Sequence, residues 1–182
     1  MKKLLYIHGY NGSPNGHSRT LFDELKPEGW EVLGMDHDET DCAKALCQIR
    51  DTIEREQIDV VAGSSLGGFL TLLTTGIRRY VINPCYSPSA ELPKLRFLDE
   101  LPTPSSALVA TYQVYEPHLK TFSPAEKSLI TGFFASADEL LADRYLLPFT
   151  HDVSAPIPIP GGHHLTREGA AIVWRSILHD VE

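Results

Sequence analysis

The run Gly63-Ser64-Ser65-Leu66-Gly67, followed by Gly68, has the form G-x-S-x-G with Ser65 at its centre. A short apolar run over 58–62 precedes it, and a helix-like stretch over 66–75 follows. In that context the spacing has a physical cause. A serine on a sharp strand-to-helix turn has a strained backbone, and its neighbours two places away must be small for strand and helix to approach. The turn lifts the hydroxyl above the sheet, at a helix N-terminus whose positive end favours developing negative charge. The chemistry expected is nucleophilic attack by Ser65.

A serine hydroxyl is a weak nucleophile until a base takes its proton and a third group orients that base. Where such a turn serves hydrolysis, the chain order is serine, acid, histidine, with the last two beyond strand ends. The apolar run over 129–135 ends in Ser136-Ala137-Asp138-Glu139, so Asp138 stands where the orienting acid belongs. Glu139, Asp143 and Asp152 are weaker rivals, since none directly follows a strand. A run over 153–159 leads into Pro160-Gly161-Gly162-His163-His164. Two glycines allow a loose turn that swings an imidazole over the sheet edge. One of the two histidines is expected to be the general base, and spacing alone does not separate them.

The first apolar run exits through His8-Gly9-Tyr10-Asn11-Gly12-Ser13 at the same edge. Such a loop can present a backbone N–H, here that of Tyr10, to pair with the N–H of Leu66 as an oxyanion hole. It lacks the G-x-G-x-x-G and G-x-x-x-x-G-K-[ST] patterns, which argues against nucleotide binding. Asp36-His37-Asp38, taken with His8 and His163-His164, could form a metal cluster, but no H-E-x-x-H or comparable spacing supports ligation. No metal and no cofactor are expected.

These residues need a scaffold that brings several strand ends to one edge. Short apolar runs over 4–7, 30–35, 58–62, 80–83, 129–135 and 153–159 alternate with helical patterns, the sequence form of a parallel sheet between helices. Ser18 is expected to cap a helix carrying Leu21, Phe22 and Leu25. Residues 41–56 place Ala45, Leu46, Ile49 and Ile53 on one face, and further helices are expected over 66–75 and 138–146. A last helix carries Val173, Ile177 and Val181 in one row. Pro156, Pro158 and Pro160 confine the sixth strand to an edge. The rhythm breaks from Pro84 to Pro124, where seven of the thirteen prolines lie. Residues 85–123 therefore read as an insertion over the upper edge, too apolar for a linker, with Leu92, Leu95, Phe97 and Leu98 in one group and Leu108, Tyr112 and Tyr115 in another. Ser123-Pro124-Ala125-Glu126 then has the form of a capping box.

With 182 residues, the chain is sized for a single domain, 1–182, that buries roughly 70% of its unfolded surface. Sixteen basic and 24 acidic residues give a net charge of −8 with no basic stripe, which disfavours nucleic acid as a partner. Three cysteines at no ligand-like spacing exclude a closed disulfide framework and a cysteine zinc site. No signal-peptide core or membrane-spanning run is present, so a cytoplasmic location is expected.

Taken in order, Tyr6 to Pro14, Gly63 to Phe69, Asn83-Pro84, Ala137-Asp138-Glu139 and Gly161-Gly162-His163-His164 resemble the small bacterial YqiA-like esterases of the α/β-hydrolase superfamily. The resemblance covers most of the chain and is weakest over 85–123. It implies a three-layer α/β/α sandwich: a compact α/β-hydrolase fold with a mostly parallel six-stranded sheet and a short cap insertion. It also implies hydrolysis of carboxylic esters or thioesters through an acyl-enzyme, with Ser65 as nucleophile, Asp138 as acid and His164 as base. In the family the residue before that histidine is usually asparagine, and here it is His163. The insertion, through Leu95, Phe97 and Leu98, is expected to line the acyl side of the cleft. The alternative from another class is a non-catalytic hydrolase-fold protein that binds a small ligand or partner in the same cleft. A missing triad position would favour that alternative, and none is missing.

Overall fold

Successive residues of the central strands face two different cores. Leu4, Tyr6, Val60, Ala62, Tyr80 and Ile82 pack on one side, whereas Leu5, Ile7, Val61 and Val81 pack on the other. A strand's period of two, with both faces apolar, demands helices above and below. The computed structural model describes residues 1–97 and 104–181 and meets that demand.

Six strands form one parallel sheet: β1 (Lys2–Ile7), β2 (Trp30–Gly34), β3 (Val60–Ser64), β4 (Arg78–Ile82), β5 (Ile130–Ala135) and β6 (Ile157–Ile159). Their order is β2-β1-β3-β4-β5-β6, which puts β3 at the centre and the proline-bearing β6 at an edge. Helix α1 (His17–Leu25) packs Leu21 and Phe22 on one face, alongside Val173, Trp174 and Ile177 of the C-terminal helix α8 (Arg167–Val181). The other face is covered by α2 (Cys42–Glu56), α3 (Leu66–Leu73) and α7 (Ala142–Asp152). Between β4 and β5 the chain forms α4 (Pro88–Glu91), a 3-10 turn (Leu92–Phe97), α5 (Ser106–Gln113), a second 3-10 turn (Glu116–Lys120) and α6 (Pro124–Lys127). Leu92, Leu108, Tyr112 and Leu119 of this segment are buried against the α3 face. Leu98 lies outside the described residues.

Local rules account for several boundaries. Asp41 caps α2 through the N–H of Lys44, and Ser123 caps α6 through that of Glu126. Two expectations are corrected. Helix α1 is preceded by Gly16 rather than capped by Ser18, which lies inside it. Helix α7 starts at Ala142 rather than at Asp138, because the Asp138 carboxylate takes up the N–H groups of Leu140 and Leu141 in a turn of its own. No helix among the described residues is long and apolar enough to cross a membrane.

Candidate active site

Ser65 occupies the turn between β3 and α3 with φ 54° and ψ −122°, a conformation that an L-residue holds only under constraint. The constraint comes from the end of β4 and the residues just past it. The Ser65 N–H donates to the Ile82 carbonyl at 3.1 Å, and its own carbonyl accepts from Cys85 N–H at 2.9 Å. A Cβ on Gly63 would collide with the Gly67 carbonyl and the Thr71 hydroxyl, and one on Gly67 with the carbonyls of Ile7 and His8. Both small residues are thus required by the close passage of α3 over β3 and β1. Below the turn, the Tyr6 and Ser64 hydroxyls are hydrogen-bonded at 2.7 Å.

The loop after β1 passes directly beside the serine: a Cβ on Gly9 would lie 3.2 Å from that of Ser65. Tyr10, next along, lines the same cavity as Ser65 and Leu66. The two residues expected to offer oxyanion N–H groups therefore share one cavity with Ser65.

Asp138 and the histidine loop meet because β5 and β6 continue to pair beyond their ends. The N–H of Ser136 donates to Ile159 and that of Ala137 to Gly161, each at 3.0 Å. A bridge between Gly161 and Leu165 then closes the histidine turn. That turn carries His163 over Asp138, with Nδ1 3.1 Å from both carboxylate oxygens. The Asp138 side chain is fully buried and that of His163 is 10% exposed. His164 points to solvent and lies beside His163 with ring centroids 6.0 Å apart. The expected place of His164 against the acid is taken by His163, since the tight turn from Gly161 to Leu165 turns successive side chains apart. Among the acid's rivals, Asp152 is engaged elsewhere, by the Tyr86 hydroxyl and by His151.

Burial pushes the Asp138 carboxyl up, but the His163 hydrogen bond and the Leu141 and Leu140 N–H groups outweigh it and hold the group below its ordinary value. An ionised carboxylate only accepts, so Nδ1 of His163 donates and Nε2 keeps its lone pair. Ser65 and His163 line one cavity and are not hydrogen-bonded to each other in this structure.

Two further residues hold the histidine turn: Asn83, given no role from the sequence, and Glu139, weighed there only as a rival acid. Asn83, buried just past β4 with φ 42°, accepts from the Ala135 N–H at 2.8 Å and donates to the carbonyls of Gly162 and His163 at 3.4 and 3.2 Å. Glu139 accepts the His163 N–H at 3.0 Å. The sequence signals for Asn83 were its place after a strand, in a residue type that tolerates positive φ, and the Asn83-Pro84 pair in the family resemblance.

The cavity over Ser65 measures about 200 Å³. Leu66, Leu92, Leu95, Leu140 and Leu141 give it an apolar lining, and Glu91, Lys94, Arg144 and Glu139 contribute charged groups. Glu91 is itself buried and bound by the Tyr145 hydroxyl at 2.6 Å and Lys94 at 2.9 Å. A larger groove of about 700 Å³ opens at the opposite end of the sheet, among Arg50, Ile77, Arg78 and Leu129, and contains none of these residues.

The metal grouping weighed from the sequence divides. His163 and His164 belong to the site above, whereas His8 and His37 stack with ring centroids 4.2 Å apart and are joined by Glu39.

Residues 3–154 match the uncharacterised protein family UPF0227. No protein with a curated description matches the chain. Among solved structures, Est1E from Butyrivibrio proteoclasticus aligns over 99% of this chain and 88% of its own at 17% identity, with a TM-score of 0.68. An esterase, EaEST, from Exiguobacterium antarcticum covers 100% and 92% at 11% identity and a TM-score of 0.65. MGS-MChE2, an α/β-hydrolase enzyme from the metagenome of Mar Chica lagoon sediments, covers 98% and 89% at 15% identity and a TM-score of 0.65. These likenesses establish the compact α/β-hydrolase fold.

Proposed function

Given that the chain belongs to the UPF0227 family, the YqiA-like proteins of the α/β-hydrolase superfamily, we propose that it is a serine hydrolase of short-chain carboxylic esters or thioesters. One observation carries the reading: His163 stands on the Asp138 carboxylate at the wall of the cavity that also holds Ser65.

This reading assigns the following steps. Ser65 Oγ attacks the acyl carbonyl carbon while Nε2 of His163 takes its proton, and Asp138 holds the ring and stabilises the imidazolium. The carbonyl oxygen becomes an oxyanion held by the N–H groups of Tyr10 and Leu66, each such donor lowering the barrier by about 2.7–4 kcal/mol. The tetrahedral intermediate expels the alcohol or thiol, which takes the proton from His163. Water then attacks the acyl-enzyme with the same histidine as base, releasing the acid and restoring Ser65. Residues 85–123 act as the cap through Leu92 and Leu95. A cavity of about 200 Å³ lies below the ordinary range for drug-sized ligands, which favours a small acyl group.

The test is a panel of p-nitrophenyl esters and acyl thioesters of rising chain length, with wild type and Ser65→Ala. Turnover of the shorter members by wild type, lost in the variant, supports the reading. Equal turnover by both proteins would overturn it.

A further inference from the structure

The ends of β1 and β2 lie side by side, with Tyr6 registered against Gly34, so His8 and His37 leave the sheet together. Each is 6% exposed. Nδ1 of His8 donates to the Gly9 carbonyl at 2.9 Å, since a carbonyl can only accept, and that places the lone pair on Nε2. The buried Nε2 has no hydrogen-bond partner, and neither ring nitrogen of His37 has one. Buried polar atoms are rarely left unpaired, and two neighbouring imidazoles that both offer such atoms call for an explanation.

Glu39 closes the group. One atom from each of His8, His37 and Glu39 lies within 4.8 Å of the other two. Asp36 adds a further carboxylate 3.9 Å from His8 Nε2, on the solvent side. The Glu39 carboxylate also accepts the Asn11 N–H, at 3.0 and 2.8 Å to its two oxygens, which leaves lone pairs over.

We propose that His8, His37 and Glu39 form a binding site for one divalent transition-metal ion, with zinc the best match, beside the loop that carries Tyr10. Two imidazoles and one carboxylate suit zinc and its neighbours, whereas magnesium and calcium prefer oxygen donors. The His8 Nδ1–H bond to a backbone carbonyl is the outer support that ligating histidines use to fix their tautomer. Tetrahedral zinc with bonds of about 2.0–2.2 Å separates its ligand atoms by roughly 3.4 Å. The widest pair must therefore close by up to about 1.4 Å, within reach of side-chain rotation. Bound there, the ion joins β1, β2 and, through Glu39 and the Asn11 N–H, the turn around Tyr10. The site does not depend on the serine-hydrolase reading, and its test reads the metal directly.

The full chain, stripped with a chelator, is titrated with ZnCl2 by calorimetry, and bound zinc is counted after dialysis. Co(II) absorption reports the ligand geometry. One zinc per chain is expected, with a rise in Tm, and no comparable binding of Mg²⁺. His37→Ala and Glu39→Gln should each weaken zinc by more than about 100-fold, the upper end of what losing an outer-shell partner costs. His163→Ala should keep the ion. Failure of wild type to bind zinc stoichiometrically, undiminished binding by Glu39→Gln, or loss of the ion in His163→Ala would each overturn the proposal. Glu39 is half-buried at a loop, so its variant decides the matter even if His37→Ala does not fold.

Discussion

The side-chain amide of Asn83 donates to the main-chain carbonyl of His163 at 3.2 Å, across from a carboxamide oxygen that accepts the Ala135 N–H. Asn83 therefore ties the ends of β4 and β5 to the turn that holds the imidazole. Substituting Asn83→Ala unpairs the buried Ala135 N–H and two partly buried carbonyls, which should cost about 1–3 kcal/mol or more. A merely structural role would lower Tm and leave the surviving folded enzyme unaltered. A positioning role adds a fall in kcat of at least about tenfold with little change in KM. Thermal melting and steady-state kinetics below the Tm of the variant distinguish the two.

The two adjacent histidines should behave very differently. His163→Ala is expected to lower kcat by about 10³-fold or more, as removal of a triad base does. His164→Ala, at an exposed position outside the Asp138 contact, should stay within a few-fold of wild type. Steady-state rates on one activated ester decide it, and a reversed ranking would return the base to His164.

The two histidines also separate what the chain's pattern reveals from what only the fold decides. Ser65, its glycines and the strand ends were legible because a sharp strand-to-helix turn leaves a fixed pattern in the chain. The choice between His163 and His164 was not, since it depends on the Gly161 to Leu165 bridge and on Ser136 and Ala137 pairing across to β6. The late start of α7 was hidden for a related reason: the Asp138 carboxylate competes with the helix for the first free N–H groups. His8 and His37 could be grouped from the sequence because each follows a strand end at one edge, but Glu39 as their third member emerges only from the fold.

Acid should weaken the fold through Asp138. Its pKa in the folded chain lies below the ordinary value of 3.8: burial raises it, and the His163, Leu141 and Leu140 hydrogen bonds together lower it further. A carboxyl depressed by folding contributes stability above its unfolded pKa and loses it as pH falls through the folded value. The Tm of wild type should therefore drop below about pH 4, and that of Asp138→Asn should drop less steeply. Melting curves between pH 2.5 and 6 check this, and parallel curves would contradict it. The same variant should lose about 10⁴-fold in kcat at neutral pH through loss of the ring's orientation.

Glycine substitutions should rank by space. Gly67→Ala drives a methyl into the Ile7 and His8 carbonyls, a backbone clash expected to cost about 3 kcal/mol or more. Gly29→Ala and Gly76→Ala meet nothing within 4 Å and carry only the strain of positive φ, about 1 kcal/mol. Urea midpoints of the three variants give the order.

Acyl preference should follow the cap. With Leu92 and Leu95 both changed to Ala, the apolar wall thins, and each methylene it formerly buried loses up to about 0.8 kcal/mol, nearly fourfold in kcat/KM. The ratio of butyryl to acetyl ester turnover should fall in the double variant, and an unchanged ratio would remove the 85–123 segment from acyl recognition.

The most direct measurement is covalent labelling with a fluorophosphonate, followed by peptide mass spectrometry, on wild type, Ser65→Ala, His163→Ala and His164→Ala. A single adduct on the Ser65 peptide is expected in wild type and His164→Ala, absent from Ser65→Ala and slowed by orders of magnitude in His163→Ala. No adduct on folded wild type, or labelling that persists without Ser65, would contradict an activated nucleophile at this turn.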